Sequence, residues 1–169
     1  MHGIGLTSGE VRTMRAREFF ERMADMRGHV RELADTIAKA RASAGLHGRS
    51  SGMSVAGGQR ADPNRALEWL IDSGIEREHA ESVARLDAME RVAASILYGR
   101  DGHGGLAKAR SPQDADIIFC RYVRGMRWTD IARDVARPDS ACPSKWCEMR
   151  ARRAMDYVDR VGAAVLIDA

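Results

Sequence analysis

Residues 117–154 read IIFCRYVRGMRWTDIARDVARPDSACPSKWCEMRARRA, and the reading of this stretch decides the fold. Ile117, Ile118, Tyr122 and Val123 place an apolar face at helical spacing after the start signal Ser111-Pro112. Gly125 suits the end of that helix, because a residue without a Cβ enters the left-handed region freely. A second, short helix is expected from near Thr129, with Asp130 in its first turn complementing the helix dipole. Ile131, Ala132 and Val135 form its inner side, and Ala132 is small where two helices must approach closely. Pro138 drives Arg137 out of the helical region, so this helix should stop by Ala136. Pro143 is pre-set for the first turn of a third helix, expected to reach about Asp159. On it, Cys147, Ala151, Ala154 and Val158 recur at spacings of four, three and four, one inward stripe. The pattern is a helix-turn-helix.

Charge follows the same segment. The chain carries a formal charge of only +3, too little to imply nucleic acid by itself. From Arg121 to Arg153, however, nine Lys and Arg face four acids, a local excess of five. In such motifs the first turns of the third helix enter the major groove, where Lys and Arg reach phosphates or guanine edges. The expected DNA-contacting set is therefore Ser144, Lys145, Glu148, Met149, Arg152 and Arg153 on the third helix. Arg127, Trp128 and Thr129 join it from the start of the second.

The amino-terminal part has a different rhythm. Ala16, Phe19, Met23, Met26, Val30, Leu33, Ile37 and Ala40 alternate spacings of three and four, with charged residues between them. That is a heptad stripe, and a helix with so narrow an apolar face needs a partner helix. A homodimer through the N-terminal helices and an intramolecular hairpin satisfy it equally. Residues 43–60 are rich in Gly and Ser and are expected to be a flexible loop. Helix-forming sequence resumes after Asp62-Pro63 and continues through Leu67, Leu70, Ile71, Ile75, Val83, Leu86, Met89, Val92 or Ala93, and Ile96. Gly74 splits or kinks it, with Ser73 available as a new cap. The fold expected is all-α: a long antiparallel, coiled-coil-like hairpin over 1–105, followed by a helix-turn-helix domain over 106–169. Gly99 to Gly105 is expected to open a mobile linker reaching about Ala109.

Several functions find no support. Aromatic residues make up only 5% of the chain against 44% hydrophobic, the composition of helices packing on helices. No apolar run is long enough for a transmembrane helix, and early charges at Glu10, Arg12 and Arg15 argue against a signal peptide. Cys120, Cys142 and Cys147 read as free thiols of a reducing cytoplasm. With His103 they could supply four zinc ligands, but Cys147 falls on the inward stripe, so small buried residues are the reading preferred. Gly102-His103-Gly104-Gly105 lacks the Gly-Lys-Ser/Thr ending of a phosphate loop. No nucleophile, base or carboxylate pair forms a catalytic constellation, so neither an enzyme nor a cofactor is expected.

The order of parts is more specific than the motif. A heptad-bearing helix, the break SSGMSVAGGQRADP, a second long helix and then RYVRGMRWTDIARDV resembles the phage-encoded transcriptional regulators of the ArpU/RinA type. The likeness is concentrated in Arg121–Val135 and Trp146–Ala154. It implies a sigma-factor-like carboxy-terminal helix-turn-helix, control of late phage genes through double-stranded promoter DNA, and action in the cytoplasm of a bacterial host. Two departures stand out. Residues 137–142 make a longer turn than the family uses, and Arg127 occupies the place where Ser often caps the second helix, leaving Thr129 as substitute. Two alternative functions fit the same parts: a DNA-packaging subunit like a small terminase, and a protein–protein module that docks on RNA polymerase.

Overall fold

A computed structural model of the chain describes residues 14–46, 63–135 and 143–168. All regular elements among them are helical, and none is a strand. The first helix, α1, spans Ala16–Leu46. It contains no proline, and i,i+4 ion pairs Arg17–Glu21 at 2.8 Å and Glu18–Arg22 at 2.7 Å support its outer face. Of the heptad stripe, Ala16, Phe19, Met23, Leu33 and Ile37 are buried, and Met26, Val30 and Ala40 are half-buried. Phe20, off the stripe, is completely buried too, so the apolar face is wider than a two-helix seam. The helix also runs four residues past Ala42 into the expected loop, whose remainder lies outside the described residues.

The second long helix divides at Gly74, whose φ of +66° ends one helix and starts the next. These are α2, Pro63–Ser73, and α3, Ile75–Tyr98. The Gly74 carbonyl accepts from the Glu78 amide, and Ser73 Oγ accepts from the Ile75 amide at 3.4 Å. Leu70, Leu86, Met89 and Ile96 are buried as expected, but Ile71 is 79% exposed. Ile71 follows buried Leu70 by one residue, and adjacent positions on a helix do not share a face. The Leu67 side chain lies outside the described ones.

Packing separates the chain into two compact units whose borders fall inside α1 and α3, not at residue 105. One unit comprises residues 26–84. Within it Arg41 pairs with Glu76 at 2.7 Å and His29 with Glu78 at 3.3 Å. Both pairs join α1 to the first turn of α3.

The other unit comprises described residues 14–25, 85–135 and 143–168. After α3 come α4 (Gly105–Ala109), α5 (Pro112–Ile118) and a π-helical turn (Phe119–Val123). Then follow α6 (Trp128–Val135), α7 (Pro143–Val161) and a short α8 (Ala163–Ile167) that the sequence pattern did not announce. Its centre holds Phe20, Ile96, Leu106, Ile117, Ile131 and Val158, all nearly or fully buried. Each such side chain contributes about 1.5–3 kcal/mol of transfer free energy.

Residues 99–105 correct the expectation of a mobile linker. Gly99, Gly102 and Gly105 all have positive φ, and the Gly104 amide donates to the Tyr98 carbonyl at 2.7 Å. A Cβ on Gly105 would lie 2.6 Å from the Gly99 nitrogen and 2.7 Å from the Ile96 oxygen. Gly99 and Gly105 stand where two backbones touch, and α4 begins at once with buried Leu106. Among the described residues no helix is long and apolar enough to cross a membrane.

Candidate nucleic-acid interface

Helices α5 and α6, joined through the π turn, both pack against α7. Ser111 sits extended before Pro112, and its carbonyl accepts from the Asp114 and Ala115 amides, the expected start of α5. At the other end the helix widens. The Arg124 amide bonds to the Phe119 carbonyl, five residues back, and the Met126 amide to the Cys120 carbonyl. That closure is one residue longer than a Schellman bond, and Gly125, at φ +69°, makes the reversal as expected. Arg121 secures the turn by donating to the Met126 carbonyl at 2.9 Å.

The start of α6 differs from the expected one. Its first bonds run from the Asp130 and Ile131 amides to the Arg127 carbonyl, so Arg127 and not Thr129 holds the cap position. Arg127 Nε donates to Asp130 Oδ2 at 3.0 Å, but a guanidinium only donates, so it cannot accept from the first amides of the helix as a Ser cap does. Helix α6 buries Ile131 and Ala132 and ends at Val135. The long turn 137–142, and Cys142 with it, lies outside the described residues.

Helix α7 starts at Pro143 and turns Cys147, Ala151, Ala154 and Val158 inward, each at most 1% exposed. Burial pushes the thiols of Cys147 and Cys120 above their usual range, so neither is poised as a nucleophile. The opposite face presents Lys145, Met149 and Arg152, exposed at spacings of four and three, with exposed Glu148 beside them. Arg153 is exposed on the neighbouring strip and Ser144 is half-buried in the first turn. On α6, Thr129 is exposed. Trp128 is half-buried, its ring 6.5 Å from that of Tyr122 and under the Arg121 guanidinium at 5.2 Å, so most of its surface serves packing.

The basic residues divide into two groups. Arg121, Arg124 and Arg150 lie over the rings of Trp128, Phe119 and Trp146, and Arg127 and Arg133 share Asp130. Lys145, Arg152 and Arg153 have no side-chain ion pair among the described residues. Among the described residues of this segment, the cations with neither an acid nor a ring partner thus lie on α7, while Arg127 and Arg133 stay largely exposed beside Asp130.

Sequence reasoning missed Asp114. It is 2% exposed, and both its oxygens are held by guanidinium Nε atoms at 2.6 Å, Arg110 on one and Arg150 on the other. The only signal for it was the i,i+4 spacing of Arg110 and Asp114. Arg150, counted above as part of the basic excess, is turned back into the protein. Comparison with family models, with curated proteins and with solved structures returned no match.

Proposed function

We propose that this chain is a sequence-specific, DNA-binding transcriptional regulator of the phage or prophage kind, acting in the cytoplasm of a bacterial host. The observation that carries this reading is the outward face of α7, where Lys145, Met149 and Arg152 stand exposed on a helix whose opposite stripe is fully buried. That is the arrangement a recognition helix requires, with cations for phosphates or guanine edges and an apolar group for a thymine methyl. Thr129, at the amino end of α6, supplies a further polar contact to the backbone of double-stranded DNA.

The test is binding of the full chain to promoter fragments from its own genomic neighbourhood at two salt concentrations, with mass measured by light scattering. Lys145→Ala and Arg152→Ala are each expected to weaken specific binding by about 1–3 kcal/mol where they reach a guanine. Where they reach a phosphate, each should lower the salt slope by about one. A folded chain that binds no duplex at low salt would sink the proposal. A ring of many copies would point instead to a packaging subunit.

A further inference from the structure

Arg150 uses all three guanidinium nitrogens on the first turn of α5. Nε donates to Asp114 Oδ1 at 2.6 Å, one terminal nitrogen to Gln113 Oε1 at 2.7 Å, and the other to Ser111 Oγ at 3.4 Å. Gln113 in turn donates through Nε2 to the Val135 carbonyl at 3.0 Å, the last residue of α6. Arg110 grips α7 one turn further on, donating to the Arg153 carbonyl at 3.2 Å and lying 5.7 Å from the Tyr157 ring centre. One buried carboxylate therefore ties α5, α6 and two successive turns of α7 together.

From this geometry we infer that Arg150 and Asp114 are positioning residues that set the rotation of α7 about its axis, and so set sequence discrimination rather than affinity. The inference rests on the DNA-binding reading above. Arg150 lies between Met149 and Arg152, so turning the helix at residue 150 swings the whole outward face. Contacts to base edges tolerate displacements of only about 0.5 Å and 10–20°, whereas attraction to phosphates is nearly indifferent to rotation. A buried ion pair is also a poor source of net stability, and its best-attested role is to select one arrangement among several. A forked guanidinium on three adjacent acceptors does that, and an ammonium does not.

The experiment compares the full-length protein with Arg150→Met, Arg150→Lys and the double variant Asp114→Leu/Arg150→Met. The double variant removes the Asp114 and Arg150 charges, keeps their volume filled, and leaves Arg110, whose side chain is 30% exposed, to solvent. Binding is read by fluorescence polarisation on the protein's specific fragment and on a random duplex of equal length, across a salt series, beside a thermal melt. The double variant is expected to stay folded and to bind the random duplex within about twofold of the parent, with the same salt slope. Its preference for the specific fragment should fall by about tenfold or more, and Arg150→Lys should lose preference likewise. An unchanged preference in a folded double variant overturns the inference, and so does a salt slope lower by about one, which would make Arg150 a phosphate contact. A parent chain that binds neither duplex overturns the DNA-binding reading itself, before any variant is compared.

Discussion

At the scale of single residues, polar groups taken wholly or partly out of water do what composition cannot announce. Tyr98 is the clearest case after Asp114. Its hydroxyl donates to Asp116 Oδ1 at 2.7 Å, and burial, reinforced by that bond, pushes its ionisation well above the usual value of 10. The fold favours the neutral phenol. The stability this contributes is complete below about pH 10 and is lost as pH rises beyond it. Tyr98→Phe removes the bond and the titration together. Urea unfolding should place the variant below the parent by about 0.5–1 kcal/mol at about pH 8. Between there and about pH 10.5 the parent should lose more stability than the variant. Parallel decline of the two would remove Tyr98 from the account. Asp114 was not legible in the sequence for a physical reason. An acid three residues after a helix cap looks like an ordinary dipole partner until another helix brings it a second guanidinium.

At the scale of elements, glycines separate what local sequence can and cannot show. Gly28 lies inside α1, exposed, with nothing within 4 Å of an added Cβ. Gly28→Ala should therefore stabilise the protein by about 0.5–1 kcal/mol through the helix alone. Gly105 has the opposite prospect. With φ at +64° and backbone atoms 2.6–2.7 Å from its missing Cβ, Gly105→Ala should destabilise by at least about 2 kcal/mol. A pair of thermal melts checks both, and equal midpoints for the two variants would contradict the geometry. The helices themselves were largely legible. The stripe Cys147, Ala151, Ala154, Val158 is buried residue for residue, and Pro112, Gly125 and Pro143 stand where their backbone preferences put them. The glycine-rich stretch 99–105 was misread because composition alone does not distinguish a loose linker from two backbones in contact. The π turn at Phe119–Val123 had no local signal either, since its extra residue is accommodated by packing around it.

At the scale of the whole molecule, burial is uneven. Among described residues 26–84 the buried hydrophobic side chains are Leu33, Ile37 and Leu70, whereas α7 alone buries Cys147, Ala151, Ala154, Met155 and Val158. Local opening costs least where few apolar groups are removed from water. Native-state hydrogen exchange should therefore find the amides of α7 between Cys147 and Val158 the slowest, and those of α1 between His29 and Arg41 much faster. Equal protection would show that the two units open as one. The sequence by itself determined the all-helical class, the bounds of α6 and α7 to within a few residues, and which face of α7 turns outward. Those features depend on periodicity, caps and prolines, which act over a few neighbours. Only the tertiary structure decided that the compact units divide within α1 and α3, that Trp128 is packed, and that Arg150 serves the protein's interior. Each of those depends on side chains separated by tens of residues, whose meeting no local pattern encodes.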